Sequence, residues 1–139
     1  MAKYNIRMEY IKLNKVLTFE GEDALTFIDS LVSNEFVDGK ITPSFLLYPD
    51  GKINYWFLLE QNGEIVNIYQ NNEQLLKIKE TFEKYKIRIN CDIEIKDIDN
   101  HIKINPENFE TEITNGYEGN KIITWKEITL NTELPTLET

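Results

Sequence analysis

Only one cysteine, Cys91, and one histidine, His101, occur in 139 residues. A single thiol excludes an internal disulfide. The two together exclude a conventional Cys/His zinc or iron–sulfur site built by this chain alone. Long hydrophobic runs are missing too. The opening, MAKYNIRMEY, lacks an apolar stretch of signal-peptide length, and nothing downstream approaches a membrane span. The expectation is a cytoplasmic protein with no membrane contact. Positive charge is scarce: 15 Lys and Arg stand against 24 Asp and Glu, a net charge of −9. Phosphate contacts supply most non-specific nucleic-acid affinity, so this balance argues against such a partner. The basic run Lys77, Lys79, Lys84, Lys86 and Arg88 reads as a solvated helix face, with Glu73 four residues before Lys77 and Glu80 four before Lys84. No GxGxxG, P-loop, HExxH or GxSxG motif occurs. Spacing alone therefore reveals no reaction.

What is present is a core. Hydrophobic residues make up 41% and aromatics 12%, enough for one folded domain without staples. Its clearest signal is residues 41–70, an antiparallel three-strand meander. Tyr48-Pro49-Asp50-Gly51 has tight-turn chemistry. Asn62-Gly63 predicts a type I′ hairpin turn. Between the turns, Ile53, Tyr55, Phe57 and Leu59 line one face and Trp56 and Leu58 the other. A strand apolar on both faces is covered on both, so this is expected to be the middle strand.

Around the meander, residues 2–10 read as an edge strand and 16–20 as a short buried strand. Gly21 opens a helix with Glu22 and Asp23 in its first turn and Leu25, Ile28, Leu31 and Val32 on its apolar face. Asn71 or Asn72 caps a second helix, about 73–86, with Leu75, Ile78, Phe82 and Tyr85 on one face. From Lys86 the chain alternates, turning Ile87, Ile89, Cys91, Ile93 and Ile95 inward as a one-side-buried strand. Cys91 then reads as an inert core thiol. Residues 101–105 and 121–130 are further strand candidates, and 98–130 are otherwise undetermined. The end, NTELPTLET, reads as a disordered tail. The expected organisation is a single domain over 1–130 and a tail over 131–139. The order β-α-β-β-β-α-β implies an α+β fold, an antiparallel sheet with two helices on one face, resembling a ferredoxin-like unit with an additional strand.

Three stretches carry a family resemblance in order. VLTFEGEDALTFIDSLVSNEF resembles an opening strand and a G-x-D-A-x-x-F-L-x-x-L helix followed by Ser33-Asn34-Glu35. FLLYPDGKI resembles an x-P-x-G-(Arg/Lys)-(Ile/Val) hairpin. EIVNIYQNNEQLLKIKETFEKYKIRINCDIEIKDI resembles a strand, a helix and an L-x-K-Y-x-x-R strand, matched here by Phe82, Lys84, Tyr85, Arg88, Cys91 and Ile93. Residues 16–97 thus resemble the N-terminal part of the folate-binding family, which comprises the aminomethyltransferase (T-protein) of the glycine cleavage system and the YgfZ-type proteins that support iron–sulfur enzyme maturation. There are departures. The family's acidic position early in the second helix falls on Gln74, which cannot take a proton as a carboxylate can. Asn54 and Tyr55 stand near where two aspartates often follow the turn glycine. The YgfZ-type Lys-Gly-Cys signature is absent.

The resemblance implies the ferredoxin-like half of a folate-binding-domain fold, with tetrahydrofolate as cofactor and Asn67, Gln74 and Lys77 as ligand contacts. No catalytic residue is expected, since Gln74 stands where the family's acid would be, and no metal, since Cys91 and His101 stand alone. An isolated first half would leave apolar sheet uncovered, which points to a homodimer or to a separate chain supplying the missing half. Residues 98–130 folding back as the cover is the other solution. Three functions follow: a non-catalytic folate binder acting in an oligomer or split complex, in folate binding or iron–sulfur protein maturation; the N-terminal subunit of a split aminomethyltransferase; or an interaction module without ligand.

Overall fold

A computed structural model describes residues 7–118 and 121–128. The elements are β1 (Glu9–Glu20), α1 (Ala24–Leu31), β2 (Ile41–Leu47), β3 (Ile53–Asn62), β4 (Ile65–Tyr69), α2 (Asn72–Tyr85), β5 (Asp92–Ile104), β6 (Thr111–Thr114) and β7 (Lys121–Ile122). They form an α+β fold whose sheet runs β2-β3-β4-β1-β5-β6, with β7 added in parallel to the start of β1. The other strand pairs are antiparallel.

The centre of this order is shared by β4 and β1, and β3, expected in the middle, lies one place nearer the β2 edge. The two pieces expected at 2–10 and 16–20 are one strand, paired with β4 through Leu17–Phe19 and with β5 along its whole length; residues 2–6 lie outside the described part. A bulge hid this continuity. Between the pairs Leu13↔Asn100 and Lys15↔Asp97, Asn14 opposes both Ile98 and Asp99. The alternation of β1 slips there, so Leu13 and Val16, three apart, join one cluster.

β3 is covered on both faces, as its composition requires: Phe57, Leu58 and Leu59 are all fully buried. Both helices lie on one side. There Ala24, Phe27 and Ile28 of α1 and Leu75, Ile78 and Phe82 of α2 pack on Leu17, Phe19, Phe57, Leu59 and Ile68. On the other side the cover is the chain's own later part. Ile102, Ile104, Phe109 and Ile123 are buried with Ile11, Val16, Leu58 and Tyr69, and Ile113, Trp125 and Ile128 pack against them. The apolar face that motivated a partner is thus met from within.

Three local expectations change. Lys86–Cys91 is not strand: Arg88 takes φ 56, which turns the chain, leaving Ile87 70% exposed and Tyr85 43% exposed, and β5 begins at Asp92. The β3–β4 turn centres on Gly63-Glu64 between paired Asn62 and Ile65, with positive φ at Gly63 (65°) but not Glu64, so it is the type II′ pattern rather than I′. The first helix starts at Ala24, and Asp23 caps no helical N–H. Its carboxylate instead accepts from the Asn90 backbone N–H (2.7 Å), and its own N–H donates to Asn90 O (2.9 Å). Other expectations hold. Asn71 is the cap of α2, its Oδ1 accepting from Gln74 N (2.8 Å). The Tyr48–Gly51 turn closes with Gly51 N donating to Tyr48 O (2.9 Å). Of the later strand candidates, 101–105 falls within β5 and at its end, and only Lys121–Ile122 of 121–130 is strand. Residues 129–130 and the 131–139 tail lie outside the described part. No helix among the described residues is long and apolar enough to cross a membrane.

The outer edge of β2 is closed by design of its sequence. Pro43 has no N–H to offer, and its carbonyl accepts from Asn34 Nδ2 (3.0 Å). Phe45 O accepts from Ser33 N (3.0 Å), and Ile41 O from Thr111 Oγ1 (3.4 Å). A protected edge resists pairing with another chain. The last contact also brings β6 across toward β2, so the sheet curls.

Candidate functional site

Where β3 begins and β4 passes into α2, the curled sheet leaves a cavity of about 640 Å³. Four segments line it. Phe45 comes from β2, and Ile53, Asn54, Tyr55 and Trp56 from the start of β3. Gln70, Asn71 and Gln74 lie at the β4–α2 junction, and Trp125, Lys126 and Ile128 come from the last described segment. That volume lies within the roughly 300–1,000 Å³ of small-molecule sites. Hydrogen bonds tie the junction to β3. Gln70, 5% exposed, donates from Nε2 to Trp56 O (3.1 Å) and accepts Asn71 N at Oε1 (2.7 Å). Trp125 meets Trp56 edge-on, ring centres 5.9 Å apart. The Trp125 segment is held by Ile123 N donating to Tyr10 O (2.8 Å) and by a turn in which Thr124 N donates to Glu127 Oε1 (2.8 Å). Among the described residues the lining carries aromatic rings, carboxamides and one lysine, and no carboxylate. Such a wall suits a flat ring presenting hydrogen-bonding edges.

Gln74 lines this cavity; Asn67 and Lys77 do not. Lys77 is exposed on α2, one turn beyond Gln74. Asn67 faces the second side of the sheet, roughly 13 Å from Asn71 at 3.3 Å per residue. There its Oδ1 accepts from Thr18 Oγ1 (2.9 Å) and its Nδ2 donates to Glu60 Oε1 (3.3 Å), so both ends of the carboxamide are engaged. Tyr69 Oη also donates to Glu60 Oε1 (2.7 Å). Burial first, and Glu60 second, push the Tyr69 phenol far above its ordinary range, so it serves only as a neutral donor. Glu60 is not among the candidates named from sequence, although it continues the Trp56, Leu58 alternation onto the same face. Trp125 and Lys126 were not legible there: nothing local signals a contact 69 residues from Trp56.

A second cavity, about 530 Å³ at the other end of the sheet, is lined by Lys40, Ile41, Thr42, Lys103, Phe109 and Glu112 among others. Lys103 and Glu112 lie 3.8 Å apart, offsetting one another. Cys91 is buried and burial raises its thiol pKa, in keeping with an inert core position. Among the described residues no cluster of His, Cys, Asp and Glu is arranged for a metal ion.

His101 sits edge-on to buried Tyr10 (6.3 Å) and stacked on Tyr117 (5.6 Å, 17°). Its Nδ1 is shielded and has no partner. Desolvation first, then Lys12, lowers its pKa, with Asp99 opposing. A lowered folded pKa means that the unfolded chain takes the proton more readily. Stability is therefore complete above the unfolded value, about 6.5, and declines as pH falls through it toward the lower folded value. Urea midpoints of the wild type should drop between pH 7.5 and 5.5 by more than those of His101→Gln. Equal drops would contradict this.

The arrangement defines a class: a curled antiparallel sheet, helices on one side, and an aromatic, carboxamide-lined cavity at its open end. The fold is similar to that of glycine cleavage system aminomethyltransferase T from Bartonella henselae, with a TM-score of 0.56 and 16% identity over 70% of this chain. The match takes in 28% of that enzyme's chain. No family model matches the sequence, and no curated protein does.

Proposed function

We propose that this chain is a non-catalytic, folate-binding-domain-like protein that holds a reduced folate in the 640 Å³ cavity. The observation that carries the reading is the lining itself. Tyr55, Trp56 and Trp125 offer ring faces, and Asn54, Asn71 and Gln74 offer both donors and acceptors, as a pterin edge requires. Gln74 is the central contact. Lys126 at the rim and Lys77, three residues beyond Gln74 on the same side of α2, would meet the anionic glutamate tail. Asn67 would act by bracing the sheet through Thr18 and Glu60. When bound, the folate supplies one-carbon chemistry; this chain's residues bind and orient it. Gln74 in the place of an acid supports binding over the aminomethyltransferase alternative. The order β5-β1-β4-β3, with both helices on one side and β2 added outside, supports the ferredoxin-like description. Any larger task, iron–sulfur protein maturation included, would be shared with a partner, a second copy or a separate chain.

Both tryptophans of the chain lie at this cavity, so their fluorescence reads occupancy directly. Titration with tetrahydrofolate should quench it saturably. Gln74→Ala should weaken binding by about tenfold, the value of a hydrogen bond left unmade. Lys77→Ala and Lys126→Ala should weaken it more at low than at high salt. Unsaturable quenching identical in the Gln74 variant would overturn the site.

A further inference from the structure

Four Asn-Gly or Asp-Gly pairs lie within the described residues: Asp38-Gly39, Asp50-Gly51, Asn62-Gly63 and Asn115-Gly116. Each can close to a succinimide if the glycine nitrogen reaches the preceding side-chain carbonyl carbon, because glycine has no Cβ to obstruct it. In three of them that nitrogen is already committed. Gly39 N donates to Gln61 O (2.8 Å), Gly51 N to Tyr48 O (2.9 Å) and Gly63 N to Asp38 Oδ1 (2.8 Å). The Gly116 N–H has no acceptor among the described residues. We propose that Asn115 is a site of spontaneous deamidation that the fold leaves open, while it protects the other Asn-Gly pair.

The geometry favours each step at Asn115. Asn115 and Gly116 are both exposed, so water and base reach them. Nothing lies within 4 Å of where a Gly116 Cβ would stand, and the same holds at Gly63, so crowding does not separate the two sites. Asn115 Oδ1 accepts from Asn100 Nδ2 (3.1 Å), a donor already in place where negative charge gathers during attack. The Gly116 nitrogen bonds to Cγ of Asn115, the Cγ–Nδ2 bond breaks, and ammonia leaves with the proton lost from Gly116 N. Water then opens the ring at either carbonyl, giving aspartate or isoaspartate. At Asn62 the same attack is opposed twice. Gly63 N–H is turned toward the Asp38 carboxylate, whose charge resists deprotonation of that amide, and Asn62 is held in the β3–β4 ladder opposite Ile65.

The consequence is local and readable. Isoaspartate lengthens the backbone by one carbon between 115 and 116. The turn there is fixed by Thr114 Oγ1 donating to Gly116 O (2.7 Å), and the next residue, Tyr117, covers His101. Lengthening the chain draws Tyr117 off the imidazole, and His101 then titrates nearer its ordinary value.

The test is to age the folded full chain at neutral pH and map deamidation and isoaspartate by peptide mass spectrometry. Synthetic peptides spanning 59–66 and 111–118 give the unstructured rates. The two peptides should convert alike, while in the protein Asn115 converts about tenfold or more faster than Asn62, the factor expected from a charge-assisted hydrogen bond that attack must break. Asp38→Ala should bring Asn62 up toward its peptide rate and leave Asn115 unchanged. In the aged protein the His101 titration followed by NMR should move upward in step with isoaspartate. Equal rates at the two sites in the folded protein, or an Asn115 slower than its peptide by as much as Asn62, would overturn the proposal.

Discussion

Replacing Phe82 with alanine should cost about 3–5 kcal/mol of stability, the larger part of what a domain of this kind holds in reserve. Phe82 is fully buried on the inner face of α2. Its ring meets Phe19 of β1 at 4.9 Å, Phe27 of α1 at 6.0 Å and Phe57 of β3 at 6.4 Å. One side chain thus ties both helices to the sheet, and no neighbour can collapse into the gap without abandoning a contact of its own. Leu76 lies on the same helix but is 53% exposed; its alanine variant should fall within about 0.5 kcal/mol of wild type. Urea midpoints compare the two. Similar losses would mean that α2 is not docked through this ring.

Gly21→Ala should cost about 2–5 kcal/mol, strain and overpacking together. Gly21 has φ +146, and a Cβ there would lie 2.5 Å from Asn90 O and 3.0 Å from Cys91 Cα. The close approach is what lets Asp23 exchange hydrogen bonds with Asn90 and lock the start of α1 onto the lead-in to β5. Gly39 separates the two causes. It also has positive φ (+84), but nothing lies within 4 Å of its missing Cβ, so its alanine variant should lose only about 1 kcal/mol. Equal losses at both glycines would remove the steric part of the account.

Much of this architecture was legible because it is local. Pro49, Asp50 and Gly51 set their turn, Asn71 caps α2 with its own side chain, and the run Phe57-Leu58-Leu59 announces a strand buried on both faces. What the sequence hid is non-local or depends on one dihedral. The Asn14 bulge breaks the period of β1, so the longest-paired strand looked like two fragments. Arg88 in a left-handed conformation turns an apparently perfect alternation outward at Ile87. The candidate site divides the same way. Gln74 was reached through the family resemblance, whose acidic position falls on it, whereas Trp125 and Lys126 join the wall only because residues 98–128 fold back over the second face.

That fold-back also bears on assembly. The second face is already covered, and β2's edge is closed by Pro43 and its neighbours. A partner, if the function uses one, must engage elsewhere than the uncovered sheet that the isolated half implied.

Whether the cavity holds a reduced folate is tested most directly by thermal melting of the purified chain with and without tetrahydrofolate, with its molecular weight read by sedimentation equilibrium. A ligand that binds only the folded state at a hundred times its Kd stabilises by about 2.7 kcal/mol, a rise of roughly 10 °C for a chain of this size. That rise is expected for the wild type and a smaller one for Gln74→Ala. A melting temperature indifferent to tetrahydrofolate, with the chain folded and its mass unchanged, would contradict folate binding in this cavity.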